Sequence, residues 1–243
     1  MIYIVGMGPG AEEQMTGQAI RALEESDVIV GYPVYLDLLG DRFQGKEFLS
    51  TPMRQEVERC RMCFEEALKG KTVSLICSGD AGIYGLASLM YELKAEYPAC
   101  EACELQVIPG ITAANSGAAV LGAPIGHDFC VISLSDLLTP WEVIEKRLRA
   151  AAEGDFVIVI YNPSSKKRAD YLKRACDILL EVMSPEICCG YVENIGREGT
   201  AYKVCSLGEL RECQVNMFTT VFIGNSNSRI LEGKLITGRG YRL

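Results

Sequence analysis

Short apolar runs, each closed by a turn rich in glycine, serine or proline and followed by a longer amphipathic stretch, recur along the chain from its first residues. The runs at 2–5, 27–31, 72–77, 129–134, 155–161 and 187–192, and one ending at Ile108, are too short for helices and almost continuously apolar. They predict strands buried on both faces of a largely parallel sheet. Between them the apolar positions fall at helical spacing. Helices are expected from near Thr16, over 34–39, 55–69, 86–97 and 111–121, after Pro140, and from Lys166 onward. Strand and helix therefore alternate, which is the pattern of the α/β class. Toward the end, the strands expected at 202–206, 219–223 and 230–236 are less regularly separated by helices, so a mixed sheet is expected there.

The stretch 109–141 stands apart. A strand ending at Ile108 feeds Pro109-Gly110 and then a helix of small residues that can pack closely on neighbouring backbone. Gly122-Ala123-Pro124-Ile125-Gly126 stops that helix. The only histidine, His127, and the only tryptophan, Trp141, follow. We read a hand-over between two α/β domains, 1–122 and 123–243, with polar side chains gathered at the join.

Composition narrows the classes. The chain has 243 residues, 49% of them hydrophobic and 23% charged, as in ordinary globular proteins. No apolar run approaches the ~18 residues that cross a bilayer. The first residues lack a basic segment and a cleavage site, so neither membrane insertion nor export is expected, and the location expected is cytoplasmic. A net charge of -8 argues against nucleic acid as the main partner, while leaving room for a small anionic ligand on a local basic cluster. Among 11 cysteines, Cys60 with Cys63 and Cys100 with Cys103 have Cys-x-x-Cys spacing. The pairs are far apart and the first lies mid-helix, where i and i+3 share a face, so core packing accounts for them and no metal is expected.

Two turns carry candidate chemistry. Gly6-Met7-Gly8-Pro9-Gly10-Ala11 fits the dinucleotide fingerprint in form only. The next helix starts too late, Glu12 and Glu13 would repel phosphate, and the second strand has Asp27 at its start rather than an acid at its end. The turn 78–85 places three glycines, Asp80 and Tyr84 at the carboxyl end of a strand, where open α/β sheets bind ligands. A plain βα turn with Asp80 as a helix cap is the alternative.

Together with Gly6 to Gly10, the Ser-Gly-Asp turn at 78–80, Pro109-Gly110-Ile111-Thr112-Ala113-Ala114, Tyr161-Asn162 and Val192-Glu193-Asn194 resemble, in order, the class III tetrapyrrole methyltransferases. Within that family Gly126-His127-Asp128-Phe129, the run 132–141 and Tyr161-Asn162-Pro163-Ser164-Ser165 look like the branch that methylates carbon 17 of precorrin-3B or cobalt-factor III, with ring contraction and lactone formation in cobalamin synthesis. One departure is Ala11 before Glu12, where many relatives have an acid directly after Gly-Pro-Gly.

The resemblance implies the tetrapyrrole methylase fold, with S-adenosylmethionine in a cleft between the domains, and a homodimer. It places cofactor contacts at Pro9, Gly79, Asp80, Ile83, Thr112, Ala113, Asn162 and the stretch around Ile195. Ring contraction needs proton transfers, for which His127 is the first candidate, followed by Asp80 and Asp136, with Ser133, Ser135 and Tyr84 as hydrogen-bond donors. A structural hydrogen bond at the join is the alternative for His127. Substrate carboxylates would meet Arg54, Lys166, Lys167, Arg168, Arg197 or Arg239, although a solvated helix face is the preferred reading of 166–168. Rival functions are a pathway methyltransferase of different regiospecificity and a non-catalytic S-adenosylmethionine or tetrapyrrole binding protein.

Overall fold

The computed structural model describes residues 1–165 and 167–242. The chain divides into two compact units, Met1–Thr112 and Ala113–Leu243.

The first unit is built on strands β1 (Ile2–Gly6), β2 (Val28–Gly31), β3 (Glu47–Ser50), β4 (Val73–Cys77) and β5 (Leu105–Ile108). They form one parallel sheet in the order β3-β2-β4-β1-β5. β2 and β4 are buried at every position, which is why they read as continuous apolar runs. Helices α1 (Gly17–Glu25), α2 (Pro33–Leu36), α3 (Glu56–Leu68) and α4 (Ala87–Glu96) cover the sheet. Strand alternation sends Ile4, Val30 and Leu75 into a core with α3 and α4, and Val5, Ile29 and Ile76 into a core with α1. Thr16 caps α1 by accepting the Ala19 amide at 3.1 Å, where the sequence placed the helix start. β3 was not expected. Its side chains are half or fully exposed because it forms a sheet edge, and its four residues mix polar Glu47 and Ser50 with apolar Phe48 and Leu49.

Cys60, Cys63, Cys77, Cys100 and Cys103 all pack in the core shared with α3 and α4. Burial pushes the Cys60 thiol up to about 12 and the Cys77 thiol up to about 11, so both stay protonated near neutral pH.

The second unit comprises α5 (Ala113–Leu121), β6 (Gly122–Ala123), β7 (Phe129–Ser133), α6 (Trp141–Glu153), β8 (Val157–Tyr161), α7 (Tyr171–Leu180), β9 (Cys188–Glu193), β10 (Ala201–Ser206), α8 (Leu207–Leu210), β11 (Thr219–Ile223), β12 (Ser228–Leu231) and β13 (Lys234–Thr237). Its main sheet has the order β10-β9-β11-β8-β7, with only β7 and β8 parallel, so the expectation of a mixed sheet holds. α6, α7 and α8 pack on one face, and α5 on the other with Val159, Val192 and Phe222. A Cβ on Gly117 would stand 3.0 Å from both Ile195 and the Phe222 ring, so the glycine lets α5 approach closely. That helix, grouped with the first domain from sequence, shares its buried residues Ala114, Ala118 and Leu121 with the second unit's core.

Two expected elements differ here. The run 230–236 is a hairpin of β12 and β13, turned at Glu232 and Gly233, which both have positive φ. The helix expected from Lys166 begins at Tyr171, and Lys166 lies outside the described residues.

Candidate functional site

In the first unit the carboxyl ends of β1, β4 and β5 meet backbone to backbone. The Gly8 amide donates to the Gly79 carbonyl at 3.0 Å and the Gly79 amide to the Gly8 carbonyl at 2.7 Å. Both glycines have positive φ, 77° and 68°. A Cβ on Gly6 would lie 2.6 Å from the Gly110 nitrogen, and one on Gly110 would stand 2.5 Å from the Gly6 carbonyl oxygen and collide with that of Gly79. Side chains are excluded at these positions because neighbouring backbone occupies the space a Cβ would need.

Asp80 locks the arrangement. Its Oδ1 accepts the Gly82 amide at 2.8 Å and its Oδ2 the Gly110 amide at 3.0 Å, which ties the turn after β4 to the turn after β5. It does not cap α4, whose N-terminal flanking residue is Leu86. Pro9 and Gly79 are buried in the same cluster, while Ile83 and Tyr84 stand 40% and 57% exposed beyond it. Thr112 is buried just past Gly110.

In the second unit the corresponding edge is made of side chains. β7 and β8 run in parallel to Ser133 opposite Tyr161, and the Tyr161 hydroxyl accepts the Ala114 amide at 2.7 Å, fixing the start of α5 beside Ala113. Asn162, at φ 54°, donates from Nδ2 to Ser133 Oγ at 2.9 Å, and the same oxygen accepts the Ser135 amide at 3.2 Å. Arg168 donates to Ser135 Oγ at 2.7 Å, to Asp136 Oδ1 at 3.3 Å and to Ser165 Oγ at 3.1 Å. Tyr171 donates its hydroxyl to Asp136 Oδ2 at 2.6 Å.

These contacts set the charge states. The Tyr171 hydrogen bond, helped by the Arg168 guanidinium, holds the Asp136 carboxyl below its ordinary range, and the same bond raises the Tyr171 phenol. Asp136 is thus a firmly ionised anchor with little capacity to carry a proton. The Tyr171 ring packs on Trp141 at 4.7 Å between centroids, and the Arg174 guanidinium lies 4.0 Å from the Trp141 centroid.

The remaining candidates sit elsewhere in the second unit. His127 is exposed on the loop before β7, and its Nδ1 accepts the Asp128 amide at 2.8 Å. Asp128 Oδ2 at 3.6 Å is no hydrogen-bond partner. The Ile195 side chain is buried in apolar core, which leaves its backbone for any ligand contact. The Arg197 guanidinium lies over Phe218 at 5.2 Å, while Lys167 and Arg239, and in the first unit Arg54, are exposed.

The chain as a whole is similar to known proteins. The model of the tetrapyrrole (corrin/porphyrin) methylases matches residues 1–211. The chain belongs to the tetrapyrrole methylases. The probable cobalt-factor III C(17)-methyltransferase of Salmonella typhimurium is 44% identical over 243 residues, 100% of each chain. The precorrin-3B C(17)-methyltransferase of a Sinorhizobium species is 39% identical, covering 95% of this chain and 91% of that one. The cobalt-factor III methyltransferase of Priestia megaterium is 43% identical, and this chain spans 45% of its length. Among solved structures, the crystal structure of the methyltransferase CobJ superposes with a TM-score of 0.91 at 36% identity, covering 98% of this chain and 99% of that one.

Sequence reasoning missed Tyr171 and Arg174 in this methylase and misjudged Arg168. Its side chain is only 17% exposed and is committed to Ser135, Asp136 and Ser165, whereas a solvated helix face had been preferred. No residue pattern marks 167–170 as a loop; the helix begins only at Tyr171, which leaves Arg168 free to fold back on Ser135 and Asp136.

Proposed function

We propose that this chain transfers a methyl group from S-adenosylmethionine to carbon 17 of cobalt-factor III, with ring contraction and lactone formation, in cobalamin biosynthesis. The observation that carries this reading is the end-to-end match to a relative named for that reaction, 44% identical over 243 residues. S-adenosylmethionine supplies, when bound, a methyl group made electrophilic by its sulfonium. The glycine edge of the first unit fits such a cofactor, because Gly6, Gly79 and Gly110 pack backbone against backbone and put no side chain at these strand ends. Asp80 holds those peptide groups in place through two amides.

Methyl transfer to carbon is an in-line displacement in which the tetrapyrrole's conjugated system is the nucleophile. The protein therefore orients and desolvates more than it reacts. Ring contraction moves protons, and the side chains divide that work. Asp136 is held ionised, so it orients Tyr171 and Arg168. His127 is exposed and its Nδ1 accepts the Asp128 amide, so Nε2 is the ring nitrogen left to meet a ligand. The same reading implies a homodimer in the cytoplasm, which light scattering would register as twice 26.6 kDa.

The test is anaerobic incubation with methyl-labelled S-adenosylmethionine and cobalt-factor III, following the visible spectrum and the position of the new methyl carbon. Label at carbon 17 with a contracted ring is the expected result. Label at another carbon would overturn the regiochemistry, conversion of precorrin-3B alone would overturn the cobalt substrate, and binding without transfer would overturn the enzyme reading.

A further inference from the structure

The second unit carries a cation held by aromatic rings rather than by an acid. Arg174 lies one helical turn after Tyr171, with its guanidinium 4.0 Å from the Trp141 centroid and 4.9 Å from the Tyr171 centroid. Trp141 and Tyr171 are the first residues of α6 and α7, the helices that follow the carboxyl ends of parallel β7 and β8. That end of a parallel pair is where α/β sheets receive ligands. Two acids of this region are already committed. Asp136 is taken by Tyr171 and Arg168, and Asp177, three residues further along α7, pairs with Arg211. Among the described residues no salt bridge joins Arg174 to a carboxylate.

A guanidinium stacked on aromatic faces is fixed in plane and keeps its N–H edge for a flat, two-oxygen acceptor. On the loop between β7 and Trp141, Leu137 and Leu138 are 60% and 98% exposed, an apolar pair a few residues before the ring that Arg174 packs on. An acidic macrocycle, apolar at its centre and rimmed with carboxylates, matches both features. We propose that Arg174, held against Trp141 and Tyr171, recognises a peripheral carboxylate of the tetrapyrrole substrate. This rests on the functional reading above and assigns it a specificity-determining residue.

The experiment compares the wild-type chain with Arg174→Met, which keeps the stem without the charge, and Arg174→Lys, which keeps the charge without the planar fork. Cobalt-factor III affinity is read by anaerobic absorbance titration, together with KM, kcat, S-adenosylmethionine affinity and melting temperature. Loss of one charge-assisted contact predicts a Kd and KM for the tetrapyrrole raised roughly tenfold to hundredfold in Arg174→Met, with cofactor affinity unchanged. A smaller rise is expected in Arg174→Lys. If Arg174→Met fails to fold, Arg174→Lys decides the matter by the same readout. Unchanged tetrapyrrole affinity in a folded variant overturns the proposal alone. A wild-type protein that neither binds nor converts cobalt-factor III overturns the functional reading and this proposal with it.

Discussion

The strand ends of the first unit are assembled from backbone and those of the second from side chains. After β1, β4 and β5, glycines bring peptide groups into mutual contact and the one important carboxylate, Asp80, serves to fasten amides. After β7 and β8, Ser133, Ser135, Asp136, Asn162, Arg168 and Tyr171 form a chain of side-chain hydrogen bonds. A backbone surface suits a ligand common to a whole family, because it survives sequence change as long as the glycines remain. A side-chain surface can be altered one residue at a time, which suits recognition of a particular macrocycle.

The contrast can be broken at its strongest point first. Gly110→Ala drives a Cβ into the Gly79 carbonyl and to 2.5 Å from that of Gly6, where neither neighbour is a flexible side chain. We expect a stability loss of about 3 kcal/mol and a fall in S-adenosylmethionine affinity of tenfold or more, checked by thermal melting and calorimetry. Asp80→Asn leaves one oxygen to accept where two amides now donate, and should cost about 1–2 kcal/mol. Its turnover should keep the wild-type pH profile, since a fastener of backbone does not carry the reaction's proton. A shifted profile would return Asp80 to the catalytic list.

Tyr171→Phe sharpens the other side of the comparison. Removing the hydroxyl should cost about 0.5–1.5 kcal/mol at neutral pH by denaturant unfolding. The Asp136 pKa is depressed in the folded state, so its contribution is present above the ordinary carboxylate value of about 3.9 and is lost as pH falls further. The Tyr171 pKa is raised, so its contribution is present below the ordinary phenol value of about 10 and is lost above it. The gap between wild type and variant should therefore be flat through neutrality and close at both extremes. His127→Ala, at an exposed site, should change stability by less than about 0.5 kcal/mol and leave cofactor affinity within a few-fold. Slower conversion is expected, and unchanged turnover would remove His127 from the mechanism.

The period and length of the apolar runs were enough to show the α/β alternation and nearly every buried strand, because burial on both faces demands continuous apolar sequence wherever the partner strands come from. Glycine at Gly6, Gly79 and Gly110 also announced close backbone approach, since the residue type itself states the steric requirement. Edge strand β3 and the hairpin of β12 and β13 escaped because exposed or short strands carry little periodic signal. The affiliation of α5 was a matter of packing: its small residues fit any close neighbour, and only the fold supplied Val192 and Phe222. The same holds for Asp80 and Asp136, acids of equal standing in sequence. One meets two backbone amides, and the other meets an arginine and a phenol brought from more than thirty residues away. A side chain's chemical type is local, but its role depends on which distant groups satisfy its charge and hydrogen bonds, and that is decided when the sheets assemble.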